Sequence, residues 1–268
     1  MNSCSFNKLF SKSVPHILEK IFLSLDYESY KTCMEVNQSW KELFFSESYM
    51  KKSKSVFHNE ISKDEKKLAV AVLKGNANEV CKLLSSKMID VNKRSPHSIF
   101  TPLYLAIVHG HIVVVQLLLD AGAAPNAANK YGITPLHKAI DYGYKNIVEL
   151  ILDRGGNLNK DDKDGSTPLQ KAACKGQNEM VKLLLERGAE VDKEDLWGHT
   201  ALHWAAIYGH EDVVRTLLEN GAMPNARDNR GRSPLYYAVH SAQMNRDLFS
   251  FKNGYISIVQ ILKKYVSN

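Results

Sequence analysis

The sequence predicts an all-α fold: a solenoid of helix–turn–helix units with a hairpin tip between successive units, preceded by a small three-helix unit. Three observations carry this. A Thr-Pro-Leu-x-x-Ala hexapeptide, or a close variant, begins at residues 101, 134, 167, 200 and 233, so every step is 33. A glycine stands four positions after its Ala in four copies, at Gly110, Gly143, Gly176 and Gly209. The first 65 residues hold no copy but show an apolar stripe at helical spacing. Self-similarity at one period marks a stacked array rather than a globular core.

Residues 1–12 read as a flexible lead-in and residues 13–47 as the three-helix unit. Ser13 can cap a helix that Val14-Pro15 opens. Ile17, Leu18, Ile21, Phe22 and Leu25 then share one face, with Glu19, Lys20 and Ser24 opposite. Leu25-Asp26-Tyr27 breaks this helix. Tyr30, Cys33, Met34 and Val36 suit a second, with Asn37 as its end or the next cap, and Trp40, Leu43 and Phe44 suit a third. A unit this small either leans on the repeats or keeps an apolar face for a partner.

The string from Val14 to Asp26, followed by Val36-Asn37-Gln38-Ser39-Trp40, resembles the F-box. It departs from the family pattern at Val14, His16 and Tyr30, and at Asn37 and Gln38. The resemblance implies docking on the adaptor subunit of a cullin–RING ubiquitin ligase, with the domain behind the F-box selecting the protein to be modified. Carried over by position, the docking face would hold Val14, Pro15, Ile17, Leu18, Ile21, Phe22, Leu25 and Trp40, as apolar anchors in a groove. Trp40 suits a place in the core of the unit equally well. The rival reading is a helical cap that buries Ile17, Ile21 and Phe22 against the first repeat.

Residues 48–65 read as a connecting segment, polar and basic at Met50-Lys51-Lys52-Ser53-Lys54-Ser55, with Phe57 and Ile61 suited to a short helix packed on the array. The array takes residues 66–268 as about six repeats: 66–98, 99–131, 132–164, 165–197, 198–230 and 231–268. In each, Thr offers an N-cap hydroxyl, Pro tolerates the first helical position, and Leu and Ala enter the buried face. The glycine ends this short helix. A more apolar helix follows and stops at Gly122, Gly155, Gly188 or Gly221. Turn chemistry then leads onward through Lys130-Tyr131-Gly132, Lys163-Asp164-Gly165, Leu196-Trp197-Gly198 and Asn229-Arg230-Gly231. Thr-Pro-Leu-His-x-Ala at a period of 33 resembles the ankyrin repeat. The first repeat lacks Thr-Pro and opens on Lys66-Lys67, as a capping repeat would. In the last, the glycine expected at 242 is matched by Gly254-Tyr255, so 12 residues are inserted near 241–253. That insert, with Met244, Leu248, Phe249 and Phe251, either adds to a binding face or lengthens the helix and covers the end of the core.

Charge and composition narrow the function. The net charge is +6, and residues 1–65 are balanced, so the excess lies in the repeats. Spread over some two hundred residues, it makes no single basic stripe of the kind nucleic acid requires. No apolar run approaches a membrane span, and the opening residues lack the order of a secretion signal. Cys4, Cys33, Cys81 and Cys174 show no metal spacing and suit reduced thiols in the cytoplasm or nucleus. No metal, cofactor or catalytic set is expected, and Asp161, Asp162, Asp164, Glu194 and Asp195 read as solvated turn residues.

The expected function is that of a non-catalytic substrate-recognition subunit, monomeric apart from the ligase complex, or else a plain ankyrin scaffold. Register places the tips and the ends of the first helices in one concave groove. The expected contacts are Lys130, Tyr131, Tyr142, Leu196, Trp197, His199, Tyr208, Arg230 and Arg232, flanked by Ile133, Asp141, Lys163, Asp164, Cys174, Lys175, Ile207, Asn229 and His240, with Trp204 just inside. Exposed Trp, Tyr and Arg dominate binding hot spots. The acidic middle tips and the basic last tip (Arg227, Arg230, Arg232) suggest a target with a basic or mixed segment flanked by apolar residues.

Overall fold

The computed structural model of the chain describes residues 63–85, 89–93, 101–244 and 249–267. The expected three-helix unit, its docking residues Val14 to Trp40, and Phe57 and Ile61 lie outside the described residues. Twelve helices and no strand occur among those described. They come in pairs: α1 Lys63–Leu73 with α2 Ala77–Leu84, α3 Pro102–Val108 with α4 Ile112–Asp120, and α5 Pro135–Asp141 with α6 Lys145–Asp153. Then follow α7 Pro168–Cys174 with α8 Asn178–Glu186, α9 Ala201–Tyr208 with α10 Glu211–Glu219, and α11 Pro234–Met244 with α12 Phe249–Val266. Each first helix packs on the first helix of the next pair, and the second helices form the other layer.

The hexapeptide chemistry explains the helix starts. Thr101, Thr134 and Thr167 Oγ1 accept from the backbone N–H three residues on, at 3.2, 3.3 and 3.2 Å. At Thr134, Thr167 and Thr200 the backbone N–H in turn donates to the side chain three residues on, for Thr200 to His203 Nδ1 at 3.1 Å. Within each of the first five pairs a glycine turns the chain, as at Gly110 with φ +69° and Gly143 with φ +71°. The N–H of the next residue then closes on the first helix, as His111 does on Ala106.

Buried side chains fall in columns along the stack. Leu118, Ile151, Leu184, Leu217 and Leu262 make one, and Val114, Ile147, Met180, Val213 and Ile258 another. Leu217 and Leu262 stand one 33-residue period plus 12 apart, so the columns cross the insert in register. Tyr255 confirms that register, since its hydroxyl donates to Ile207 O at 2.9 Å just as His210 Nε2 meets Cys174 O one repeat earlier. The insert is taken up by longer helices: α11 runs on to Met244, and α12 begins at Phe249. The expectation that Gly254 ends the first helix is therefore corrected. Gly254 lies inside α12 and has no positive φ. The roles expected of Met244, Leu248, Phe249 and Phe251 lie outside the described side chains. At the other end, Leu68, Val72 and Gly75 match Leu103, Ile107 and Gly110, a first step of 35 rather than 33.

Candidate binding face

The tips are fastened by one polar side chain each. Asn129, Asp162, Asp195 and Asp228 stand 33 apart and are buried. The Oδ1 of each accepts two backbone N–H groups, two and four residues on. For Asp195 these are Trp197 N and His199 N, both at 2.9 Å. For Asp228 they are Arg230 N and Arg232 N, both at 2.8 Å. Successive tips are also tied to one another, Leu196 N to Asp164 O at 3.1 Å and Asn229 N to Trp197 O at 3.0 Å. A Cβ on Gly198 would stand 2.8 Å from Asn229 N, so the tips approach too closely for any other residue there.

The second carboxylate oxygen of each tip acid takes a side chain from the following first helix. Lys171 Nζ reaches Asp162 at 2.9 Å, Trp204 Nε1 donates to Asp195 at 2.9 Å, and the Tyr237 hydroxyl donates to Asp228 at 2.6 Å. Asn129 offers no carboxylate, and Lys138 pairs forward with Asp141 at 3.0 Å instead. The expectation that these acids are solvated turn residues is thus corrected for Asp162 and Asp195. A carboxylate that accepts several N–H groups is more useful inside a turn than outside it. At Asp228 burial works to raise the carboxyl. The bond from Tyr237 and those from Arg232 and Arg230 prevail, holding it well below the usual carboxylate range. Burial, and then the bond to Asp228, push the Tyr237 hydroxyl up to about 12.

Around the last two tips these contacts leave a pocket of about 300 Å³ lined by Trp197, His199, Trp204, Asn229, Arg230 and Arg232. The Trp197 main chain is fixed at both ends, while the residue stays 49% exposed. Trp204 is held by Asp195 and stacked on Tyr208, with ring centroids 6.1 Å apart. The Arg232 guanidinium is engaged, with Nε 2.9 Å from Asp228 Oδ2 and its carbon 4.8 Å over the Tyr237 ring. The Arg230 guanidinium makes no hydrogen bond or ion pair with any described residue, and it is exposed.

Of the expected contacts, Lys130, Tyr131, Leu196, Trp197, Tyr208 and Arg230 are exposed, as are the flanking Lys163, Asp164, Lys175, Asn229 and His240. Lys130 Nζ lies 4.9 Å over the Tyr131 ring. Tyr142 is half-buried, stacked on Tyr144 at 5.4 Å. Ile133, Asp141, Cys174 and Ile207 are half-buried too. His199 is a correction: it is buried, its Nε2 meeting the Tyr237 hydroxyl at 3.0 Å and its ring 5.1 Å from Trp204. It supports the pocket wall more than it offers itself to a partner. The sequence reading missed the tip series Asn129, Asp162, Asp195 and Asp228. It missed a second series, Asn126, Asn159 and Asp192, whose side chains accept N–H groups of the next repeat at Asn157, Glu190 and Met223. Both repeat at 33, and that periodicity was the available signal.

Burial pushes the Cys174 thiol up, away from the thiolate a nucleophile needs. Among the described residues no group of three or more His, Cys, Asp or Glu side chains is placed to hold a metal ion. No described helix is long and apolar enough to cross a membrane.

A family model described as "Ankyrin repeats (3 copies)" matches residues 67–162, 122–195, 150–228 and 192–267. Among solved structures, the ankyrin repeat domain of Bcl-3, described as a unique member of the IkappaB protein family, is similar with a TM-score of 0.64. It is 30% identical, over 74% of this chain and 84% of that one. No curated protein matches the chain.

Proposed function

Because the chain belongs to the ankyrin-repeat family, we propose that it is a non-catalytic bridging subunit, whose repeats hold a target protein and whose residues 13–47 dock on the adaptor of a cullin–RING ubiquitin ligase. The family as such implies a protein–protein interaction scaffold, and the ligase role is the finer reading. The observation that carries target binding is the half-exposed Trp197 beside the unengaged Arg230, over a pocket built by fixed tips. Exposed Trp and Arg side chains on a rigid frame are the residue types that dominate binding hot spots. The ligase half rests on the order Val14-Pro15, Ile17-Leu18, Ile21-Phe22, Leu25 and Trp40, which suits apolar anchors on one helix face. Free thiols at Cys81 and Cys174 support a place in the cytoplasm or nucleus. The expected state apart from the ligase complex is a monomer.

The test is direct binding of the full chain to a purified F-box-receiving adaptor, with Ile21→Asp plus Phe22→Asp as the control. Binding lost in the double variant supports the ligase role. No binding by a chain that circular dichroism shows to be folded leaves the scaffold reading.

A further inference from the structure

We propose that the pocket between the last two tips takes an acidic segment of the target carrying one large apolar or aromatic side chain, which rests on the reading of this face as the target site. Sequence alone suggested a basic or mixed segment, because the middle tips are rich in acids. The structure removes the ground for that. Asp162, Asp195 and Asp228 are buried, and both oxygens of each carboxylate are engaged within the array. The cations are disposed otherwise. Lys130, Lys163 and Arg230 are exposed on this face, against Asp164 and Glu194, while Lys175 lies 4.0 Å from the half-buried Asp141. At the pocket itself Arg232 is paired with Asp228, whose carboxylate also accepts from Tyr237, and Arg230 is the cation left open.

The pocket's size and walls name the other half of the occupant. About 300 Å³ is the lower limit of small-molecule sites, room for one side chain rather than a cofactor. Its indole walls, Trp197 and Trp204, suit a flat apolar group. Arg230 beside them can then pair with a carboxylate next to that group in an extended chain, in the forked geometry Arg favours. Replacing the Arg230 side chain breaks no hydrogen bond or ion pair with a described residue, since only its N–H serves the tip.

Three fluorescein-labelled 12-residue peptides test this on the full-length chain: one rich in Glu with a central Phe, one with each Glu replaced by Lys, and one acidic with the Phe replaced by Ser. The acidic Phe peptide is expected to bind at least tenfold tighter than the other two, to quench tryptophan fluorescence, and to weaken as salt rises. Arg230→Glu and Trp197→Ser are each expected to weaken it at least tenfold. If the Lys peptide binds as well or better and depends on Trp197, the face binds targets but the acidic occupant is wrong. If no peptide binds, or binding ignores both variants, the occupant and the face fail together. Adaptor binding by the same samples is unaffected in either case.

Discussion

At the scale of single residues, the hexapeptide histidines do more than start a helix. A peptide N–H can only donate, so His137 Nδ1, facing Thr134 N at 3.3 Å, must accept, and the proton sits on Nε2, 3.0 Å from Ser166 O. His203 repeats the arrangement, between Thr200 N and Arg232 O. Gln170 makes the same bridge with an amide, from Thr167 N to His199 O. Protonation of either ring removes its acceptor, and burial lowers both pKa values below the ordinary 6.5. A histidine depressed in the folded state contributes stability that is full above the unfolded value and lost as pH falls from there toward the folded one. Unfolding free energies from urea titration are therefore expected to drop between pH 7.5 and 5.5, by up to about 1.4 kcal/mol per pH unit for each histidine, and the midpoints with them. A His137→Gln plus His203→Gln protein should keep its midpoint at pH 7.5 and fall less steeply, and an equal slope would contradict this bridge. The motif was legible in sequence, but the bridge was not, because nothing local shows that Ser166 or Arg232 lies under the ring. The tip acids were misread for a related reason. An Asp in a polar turn looks solvated until the backbone N–H groups two and four residues on are seen to converge on it.

At the scale of elements, what was legible is what repeats. Glycines at fixed offsets marked the turn within each pair, and buried columns such as Leu184 and Leu217 followed. The last repeat shows where this stops. The length of the insert could be counted, but its form could not, since Gly254 in a helix and Gly209 at a left-handed cap with φ +77° look alike in sequence. The tips offer an internal comparison. Gly198 and Gly231 have φ of +79° and +75°, so alanine at either costs about 1–2 kcal/mol of backbone strain. Of the two, only Gly198 has the next tip against it, with Asn229 N 2.8 Å from a would-be Cβ, whereas Gly231 has nothing within 4 Å. Gly198→Ala is expected to lose at least twice the unfolding free energy that Gly231→Ala loses, measured by denaturant titration, because it also parts Asn229 N from Trp197 O. Equal losses would mean that the tips are independent.

At the scale of the whole molecule, a stacked array makes a long surface. Its stability is a sum over neighbouring repeats, so the residues facing a partner can vary while the frame stays. That is why the fold was legible and the partner was not. Trp197 and Arg230 carry no signature beyond residue type and register, and His199, chosen by the same register, proved to be buried. The bridging account predicts two separable faces, one in residues 13–47 and one at the Trp197 tip. The most direct measurement is proximity labelling in cells by the full chain, compared with Ile21→Asp plus Phe22→Asp and with Trp197→Ser plus Arg230→Glu. The account predicts that the first variant loses adaptor and cullin but keeps the other labelled proteins, and that the second loses those proteins but keeps adaptor and cullin. Absence of adaptor and cullin from the wild-type set, or loss of both sets in a folded single-face variant, would contradict it.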